Sequence, residues 1–345
     1  MRQGAISSLR REPMSTTTTK QSVRFLDESI VREVLCPERL IERMQSVLAA
    51  FSAGEVVNPP RTVLFAGSDG AYVGIMPAFL PGEPALGTKL VTAFAHNKQQ
   101  GLPSHFATIV LLDAGTGALR AVIDGRYLTE MRTAAVSAVA CRFLALRPLR
   151  RVAILGAGVQ ARGHLALLDA ALPLEEVLLW SPRGGVERLM SDGRPRRAAV
   201  VRARSAEEAV SRADAVVLVT DSPEPVIQHS WVRPGTLVVS VGACRPNHRE
   251  IDPALLAAGW LIVDSRQSAL IESGDVIQGI AEQRFGPDHI QGELGEVILG
   301  RIAPRRSVDE VVIFKSLGLA VEDVAAGSLV LQLAEERGLG RQVTF

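Results

Sequence analysis

Residues 151–168 read RVAILGAGVQARGHLALL, an apolar run that breaks at Gly-Ala-Gly-Val-Gln-Ala and resumes with helical spacing. Gly156, Gly158 and Ala161 form a G-x-G-x-x-A pattern directly after a predicted strand and directly before a predicted helix. Gly156 permits a tight turn, Gly158 lets the backbone approach a pyrophosphate, and Ala161 allows the helix to pack closely on the strand. The N–H groups and positive dipole end of that helix would face the phosphates. This context favours a dinucleotide-binding turn over a glycine turn without a ligand.

Downstream of this turn, short apolar strands alternate with predicted helices. The strand-like runs read EVLLW, AVVLVT, LVVSVGA, WLIVDS and VVIFKS, and helical spacing occupies residues 160–171, 205–213 and 253–258. Near-continuous apolar strands that alternate with helices are typical of a parallel sheet covered on both faces. We therefore predict an α/β fold in which a doubly wound parallel sheet, a Rossmann dinucleotide-binding domain, covers residues 147–318.

The chain before residue 147 shows other periodicities. Residues 29–51 have helical spacing, with Pro37 dividing a short helix from a longer one. From about residue 55 to 125, short alternating runs separated by Gly, Pro and Asp predict a mixed antiparallel sheet. This part is therefore expected to form a layer distinct from the parallel sheet.

Two helix-forming segments frame the predicted parallel sheet. Residues 128–146 are rich in Ala, and we expect Thr129 to cap their helix. Residues 318–338 form a second long predicted helix, whose Gly- and Ala-rich face suits packing on the first. We therefore predict a discontinuous α+β domain made of residues 23–146 together with 319–345.

Composition narrows the classes of partner. The 345 residues are 47% hydrophobic and carry a formal net charge of +1, which supports two ordinary cores and favours neither nucleic acid nor an anionic membrane. Small molecules are therefore the expected partners. No apolar stretch approaches the roughly 20 residues that a membrane-spanning helix needs. The three cysteines, Cys36, Cys141 and Cys244, form no C-x-x-C pair, which predicts neither a metal site nor a disulfide framework.

Cysteine usage and the first residues bear on location. Widely separated cysteines fit a reducing compartment, so we expect a cytoplasmic protein. Residues 1–22 precede the first predicted helix. They are basic and rich in Ser and Thr, and Glu12 is the one acid among them. We expect a disordered tail there, and an organelle transit peptide is the alternative.

The end of the second predicted strand bears on cofactor choice. An acid about 20 residues beyond the glycine pattern would bind both ribose hydroxyls of NAD, but here the strand ends in Trp180-Ser181-Pro182-Arg183. The Ser181 hydroxyl and the Arg183 guanidinium would instead stabilise a 2′-phosphate. NADP(H) is therefore the preferred cofactor, with NAD(H) possible. The alternative is that Arg183 is a solvated loop residue, and Arg188, Arg202 and Arg204 are also nearby.

Three cations in the first domain are candidate substrate ligands. Arg61 begins the first predicted strand of the sheet, and strand alternation places the Lys89 side chain on the opposite face from Leu90. Arg offers a planar fork for a carboxylate, and Lys a point charge whose pKa falls beside other cations. Together with Arg132, these residues suggest a site that binds a carboxylate. The alternative is that each is a solvated charge.

The hypothesis of a carboxylate-binding site makes its most specific prediction at Arg132. It follows Thr129 by three residues, so we expect it in the first turn of the helix, where a cation opposes the helix dipole. A bound anion would reverse that penalty, and removal of Arg132 would leave the free protein equally or slightly more stable. The alternative is a structural ion pair with an internal carboxylate such as Asp124 or Glu322.

Many ordered motifs carry a family resemblance. They include Arg61-Thr62-Val63, Thr88-Lys89-Leu90-Val91, Arg132-Thr133-Ala134-Ala135, Leu155-Gly156-Ala157-Gly158, Val241-Gly242-Ala243, Glu272-Ser273-Gly274-Asp275, Gly292-Glu293-Leu294-Gly295-Glu296 and Phe314-Lys315-Ser316-Leu317-Gly318. From about residue 30 to 335 the chain resembles the ornithine cyclodeaminase/mu-crystallin family, and within it the mu-crystallin type ketimine reductases. The resemblance implies a homodimer built through the first domain, and a substrate cleft between that domain and the nicotinamide.

The resemblance also implies roles for particular residues. Arg61, Lys89 and Arg132 match the residues that bind the substrate carboxylate, and Lys89 is also the candidate catalytic residue. The segments around Val241 and Leu317 would lie beside the nicotinamide ring. The full set of candidate cofactor-binding residues is Gly156, Gly158, Val159, Gln160, Ala161, Ser181, Arg183, Thr220, Val241, Gly242, Ser316, Leu317 and Gly318.

One departure from the family pattern separates two reactions. Cyclodeaminases carry an acid in the loop where this chain reads Gly242-Ala243-Cys244-Arg245-Pro246. An oxidation and ammonia-loss cycle needs a base near the amine, so we expect instead the NADPH-dependent reduction of a preformed cyclic ketimine carboxylate. Lys89, Glu272, Asp275 and bound water are the candidate proton sources. The alternatives are an amino-acid dehydrogenase, acting on alanine or an N-substituted amino acid, and a thyroid-hormone-binding or crystallin protein regulated by NADPH.

Overall fold

The structure is a computed structural model that describes residues 21–67, 70–192 and 196–344. Its strands are β1 (Ser22–Leu26), β2 (Thr62–Phe65), β3 (Tyr72–Leu80), β4 (Ala85–Ala93), β5 (His105–Asp113), β6 (Leu119–Asp124), β7 (Arg151–Leu155), β8 (Glu176–Trp180), β9 (Ala199–Arg202), β10 (Ala215–Leu218), β11 (Leu237–Ser240), β12 (Trp260–Val263), β13 (Ile290–Glu293), β14 (Val312–Lys315) and β15 (Arg341–Thr344). Its α-helices are α1 (Glu28–Val34), α2 (Pro37–Ala53), α3 (Arg126–Leu144), α4 (Val159–Ala171), α5 (Val186–Met190), α6 (Ala206–Arg212), α7 (Pro253–Ala258), α8 (Arg266–Glu272), α9 (Gly274–Ala281), α10 (Leu294–Ile298) and α11 (Ala320–Glu336).

The strands between residues 151 and 315 form one parallel sheet, in the order β13-β12-β14-β11-β10-β7-β8-β9. From β7 the chain adds β8 and β9 on one side and then returns to add β10 and β11 on the other. The strand order therefore reverses between β7 and β10, and ligands of such sheets bind in the crevice at the carboxyl ends of the strands there. The predicted doubly wound fold is confirmed.

The other strands form a mixed sheet in the order β15-β1-β6-β5-β4-β3-β2. Strands β2 to β6 run antiparallel to their neighbours, as the alternating runs predicted, while β1 lies parallel to β6. The sequence analysis did not identify β1 and β15, which pair at one edge. Strand β1 begins at Ser22, inside the predicted tail of residues 1–22, whose first twenty residues lie outside the described part of the chain.

The long helix α11 covers one face of this mixed sheet. It packs on α3, as the small residues predicted, and also on β3, β4, β5 and α2, which the sequence did not predict. At Gly327 a Cβ would lie 3.0 Å from Ile109 Cγ2, so glycine lets the helix approach the sheet closely. The charged side chains at the start of α11 are thereby buried between β4 and α3. The domain boundaries at residues 147 and 318 stay a prediction.

The prediction for the start of α3 was wrong. The helix begins at Arg126 with Gly125 as its N-cap, and the Thr129 N–H already donates to the Gly125 carbonyl. The sheet decides this start, because Gly125 follows β6 and its N–H donates to the Ala107 carbonyl of the neighbouring strand β5. Arg132 is therefore in the second turn, and the helix-dipole argument for an anion beside it does not apply.

Candidate functional site

The glycine turn between β7 and α4 has the geometry of a dinucleotide-binding turn. Gly156 has φ +126°, and a Cβ there would lie 2.7 Å from the Val219 carbonyl oxygen, so only glycine fits. Gly158 is the N-cap of α4, has extended backbone, and would place a Cβ in open space. No side chain caps α4 within the described structure, so its first N–H groups face outward.

The neighbouring candidates take up different positions around this turn. Ala161 is fully buried against the sheet, whereas Val159 is exposed and Gln160 half-buried at the start of α4. A depression of about 420 Å³ adjoins the turn and is lined by Ala157, Gly158, Ser181, Arg183, Gly184, Gly185 and Arg188. The structure therefore brings the end of β8 next to the glycine turn.

The four arginines near β8 divide into two pairs. Arg202 forms an ion pair with Glu187, and Arg204 with Glu208. Arg183 and Arg188 are exposed in the depression, and neither has a carboxylate partner within the described ranges. A site beside the turn therefore has a hydroxyl and two available guanidinium groups, which suit a phosphate.

The loops after β10 and β11 are held by Glu250, which is fully buried. Its carboxylate accepts from the Thr220 N–H at 2.6 Å and hydroxyl at 2.8 Å, and from the Gly242 N–H at 2.8 Å. A Cβ at Gly242 would lie 1.9 Å from the Thr220 carbonyl oxygen, so the two loops touch. Val241 is buried beside them.

The loop after β14 is organised by another buried carboxylate, Asp264. Its Oδ2 accepts from the Leu317 N–H at 2.5 Å, the Gly318 N–H at 2.7 Å and the Ser316 hydroxyl at 3.2 Å. Gly318 has φ +80°, which favours glycine. Asp264 follows β12, and the bonds fix the path of the chain as it crosses to α11.

The three predicted cations converge on this loop. Arg61 Nη2 donates to the Leu317 and Gly318 carbonyl oxygens at 2.9 and 3.0 Å, and its Nε lies 3.0 Å from a Glu272 oxygen. The Arg132 guanidinium lies against Gly318, where a Cβ would be 2.8 Å from Nη1. Lys89 reaches the same cluster from β4.

Two acids at the start of α11 neutralise part of this charge. Arg132 Nε donates to Asp323 at 2.9 Å and Nη1 to Glu322 at 2.6 Å, and Lys89 Nζ lies 2.5 Å from Asp323. Each of these four side chains is buried. The Glu322 pair is thus present, whereas Asp124 instead accepts from the Arg126 N–H. Arg132 uses two of its five N–H groups in these bonds, which leaves donors for a ligand.

Burial moves the pKa values of Lys89 and Glu322 toward neutrality. Burial lowers the pKa of Lys89 to about 8, with Asp323 opposing the change and Arg132 adding to it. Burial also raises the pKa of Glu322 to about 7, against the attraction of Arg132. The pKa of Asp323 is lowered, because Arg132 and Lys89 outweigh the burial that would raise it. Asp323 is therefore the permanent anion of the cluster.

The acids of the site were missing from the sequence prediction. Glu250 and Asp264 were not proposed, and neither Glu322 nor Asp323 was proposed as a site residue. A signal existed for two of them, since an acidic pair at the start of a buried helix needs cationic partners. The cations that pair with it are 190 or more residues away, so the sequence suggested the Arg132–Glu322 pair only as one of two alternatives and did not indicate the Asp323 contacts.

Two features are absent from the described residues. Over residues 21–67, 70–192 and 196–344, no helix is long and apolar enough to cross a membrane. The same ranges contain no group of three or more His, Cys, Asp or Glu side chains placed to hold a metal ion.

The chain is similar in sequence to proteins of a known family. The model of the ornithine cyclodeaminase/mu-crystallin family matches residues 22–338. The chain is 40% identical to the ketimine reductase mu-crystallin of Rattus norvegicus over 84% of this chain and 90% of the relative.

Two solved structures superpose over nearly the whole chain. The Δ1-pyrroline-2-carboxylate reductase of Thermococcus litoralis, in complex with NADH and L-proline, gives a TM-score of 0.86 at 31% identity, covering 93% of this chain and 100% of that chain. An archaeal alanine dehydrogenase dimer with bound NAD gives 0.88 at 28% identity, covering 94% of this chain and 100% of that chain.

Proposed function

Since the chain belongs to the ornithine cyclodeaminase/mu-crystallin family, as the resemblance predicted, we propose that it reduces a cyclic ketimine carboxylate to the cyclic amino acid with NADPH. The observation that carries the proposal is the meeting of Arg61, Lys89 and Arg132 at the loop after β14. This loop leaves the carboxyl edge of the parallel sheet, where dinucleotides bind in such folds. Substrate and cofactor would therefore meet there.

The residues of the glycine turn fit a pyridine dinucleotide. Gly158 leaves space for the pyrophosphate, and the first N–H groups of α4 would donate to it. Thr220, Val241, Gly242 and the segment Ser316–Gly318 would surround the nicotinamide. When bound, the cofactor supplies the hydride that reduces the C=N bond. The relatives solved with NADH and with NAD support this assignment.

The cations would fix the substrate through its carboxylate. Arg61 and Arg132 keep N–H donors beyond those used internally, and guanidinium groups bind carboxylates with defined geometry. Lys89 would donate a proton to the imine nitrogen or hydrogen-bond it, since its pKa of about 8 lets it give up a proton near neutral pH. Orientation of the imine carbon is the main contribution of these groups.

Ser181, Arg183 and Arg188 support NADP(H) over NAD(H). They line one depression beside the glycine turn, and the two arginines are available to a 2′-phosphate. No acid follows β8 to repel that phosphate, since the next residues are Ser181, Pro182 and Arg183.

Cys244 supports reduction over cyclodeamination. Burial raises the pKa of its thiol, and Sγ donates to the Val241 carbonyl oxygen, so the group is a poor base at neutral pH. The loop therefore lacks the acid that cyclodeaminases of this family carry, and a preformed imine is the expected substrate.

A homodimer would form through the outer face of the mixed sheet. Leu64 is 63% exposed, Phe106 39% and Ile75 39%, and their registers place them on one face with Leu90. A contiguous apolar face of this kind marks an interface, and the alanine dehydrogenase relative is a dimer. Sedimentation of Leu64→Glu should show monomers if this face is the interface, and unchanged dimers would reject it.

We propose that the protein is located in the cytoplasm. Cys36, Cys141 and Cys244 are free thiols. Free thiols persist in reducing compartments. Fractionation of cells that express the full chain would test the location.

The decisive experiment is a substrate panel. Δ1-pyrroline-2-carboxylate and Δ1-piperideine-2-carboxylate are added with NADPH, and oxidation is followed by absorbance, with the matching imines that lack the carboxylate as controls. We expect turnover of at least one carboxylate and much weaker turnover of its control. Equal rates with and without the carboxylate would reject the proposed site, and activity on alanine alone would favour an amino-acid dehydrogenase.

A further inference from the structure

Glu250 ties together the ends of two neighbouring strands. In addition to the Thr220 and Gly242 bonds, its Oε2 accepts from the Ala243 N–H at 3.1 Å and the Ser240 hydroxyl at 3.1 Å. The carboxylate therefore accepts five hydrogen bonds, from the last residue of β11 and from the loops that follow β10 and β11.

A second layer of contacts fixes Glu250 itself. Asp275 accepts from the Glu250 and Ile251 N–H groups, both at 2.9 Å. Lys315 Nζ lies 3.0 Å from Asp275 and donates to the Ser240 hydroxyl oxygen at 3.0 Å. Because Lys315 ends β14, the network links three adjacent strands at the carboxyl edge of the sheet.

The hydrogen-bond pattern indicates that Glu250 is ionised. Three of its partners are backbone N–H groups, which only donate. The Ser240 oxygen accepts a hydrogen bond from Lys315, so its own O–H is free to donate to Glu250. The Thr220 hydroxyl is the one other partner among the five that could accept a hydrogen bond from a protonated Glu250. Burial raises the pKa of Glu250, and Lys315 opposes that rise.

We propose that Glu250 is a positioning residue whose buried negative charge stabilises the positively charged, oxidised nicotinamide over the reduced form. The inference rests on the proposed function, because Thr220 and Gly242 contact the ring only if a pyridine nucleotide binds here. Hydride donation leaves the ring with a positive charge, and a fixed charge in a water-excluded site acts on it without reorganisation. The same carboxylate would thus hold the loops and favour reduction of the imine.

The test compares the affinities of the full-length protein for NADP⁺ and NADPH. Titration of Glu250→Gln should show the ratio Kd(NADP⁺)/Kd(NADPH) raised about tenfold over wild type, because the variant keeps the side-chain shape and loses the charge. Glu250→Asp keeps the charge, so it should retain a ratio near wild type even where both affinities fall.

Asp169→Asn is the matched control. Asp169 is also a buried carboxylate that accepts backbone N–H groups, those of Arg197 and Ala198, but it lies between α4 and β9, away from the proposed ring site. We expect Asp169→Asn to lower the melting temperature and leave the Kd ratio unchanged. A change of ratio in both variants would reject a specific effect of Glu250.

The outcomes separate the inference from the function it rests on. Equal weakening of both cofactor forms in Glu250→Gln would mean that Glu250 only holds the loops, and no change in either would reject any role. If Glu250→Gln does not fold, Lys315→Gln removes the opposing charge and should lower the ratio at pH 9, where Glu250 stays ionised although Lys315 no longer holds its pKa down; an unchanged or raised ratio at that pH overturns the inference. Wild-type protein that binds neither form would instead overturn the proposed function.

Discussion

The nucleotide turn and the cation cluster differ in the groups that they offer to a ligand. The turn lies within residues 151–168 and uses glycine, backbone N–H groups and empty space. The cluster draws Arg61, Lys89 and Arg132 from three separate elements and neutralises them with acids from α11. A change in the turn should therefore alter binding alone. A change in the cluster should alter binding and folding together.

Arg132→Ala should have the largest effect, on both properties. It leaves Glu322 and Asp323 buried beside too little positive charge, which costs about 3–5 kcal/mol of unfolding free energy. This reverses the expectation from the helix dipole, under which stability would not fall. The kcat/KM for the imine should also drop, by about 2–4 kcal/mol of transition-state stabilisation.

Melting curves and initial rates well below the melting temperature check this prediction. Arg120→Ala is the control, because Arg120 is exposed and lies 3.8 Å from the exposed Glu335. Arg120→Ala should leave both measurements nearly unchanged. If Arg132→Ala is destabilised but fully active, Arg132 is a structural ion-pair residue and not a substrate ligand.

Gly158→Val should separate binding from folding in the turn. Its Cβ would enter open space and its backbone is extended, so the protein should fold, while the branched side chain blocks the pyrophosphate and weakens NADPH binding by roughly a hundredfold or more. Fluorescence titration with NADPH and circular dichroism measure the two effects. Gly82→Val, at another open glycine, is the control. Unaltered NADPH affinity would place the phosphates elsewhere.

The same contrast explains what the sequence could predict. The turn, the parallel strands and the antiparallel runs follow from local patterns, and all are present. The strands β1 and β15 were missed because they are short strands near one edge of the sheet that pair across more than 300 residues, as Phe25 does with Arg341. The start of α3 was misplaced because a contact of Gly125 with the neighbouring strand fixes it, where the sequence suggested a Thr cap.

The pairing of the buried cations with acids also depends on contacts that local sequence patterns do not show. Arg132 was identified as a candidate ligand from its type and place, yet its neighbours Glu322 and Asp323 come from the far end of the chain. Whether a buried cation is available to a ligand depends on such partners. Sequence therefore predicted the cations and named Glu322 as one alternative partner of Arg132, but it did not name Asp323, which pairs with both Arg132 and Lys89.

Ser181→Asp should change the cofactor preference without altering the glycine turn itself. A carboxylate beside Arg183 would repel a 2′-phosphate and accept from ribose hydroxyls, so the NADPH/NADH ratio of kcat/KM should fall by roughly ten- to a hundredfold. Ser211→Asp adds the same charge on the exposed side of α6 and should not change the ratio. A wild-type preference for NADH would contradict the assignment of the phosphate site.

The change of kcat/KM with pH should be the smallest of these effects, and it should arise from Lys89 in the cation cluster. The pKa of Lys89 is lowered to about 8 by burial, so its positive charge is complete below that value and lost above it. If Lys89 must be charged to bind the carboxylate or to give a proton, kcat/KM should fall about tenfold between pH 7 and pH 9. Lys89→Arg keeps the charge across this range, so it should remove the fall if Lys89 acts only through its charge; if Lys89 gives the proton, the variant should lose most of its activity at both pH values, because a guanidinium does not release a proton. NADPH affinity, which depends on the turn, should stay level in both proteins. A fall that persists unchanged in Lys89→Arg would assign the titration to the imine of the substrate and would exclude Lys89 as the group that controls it.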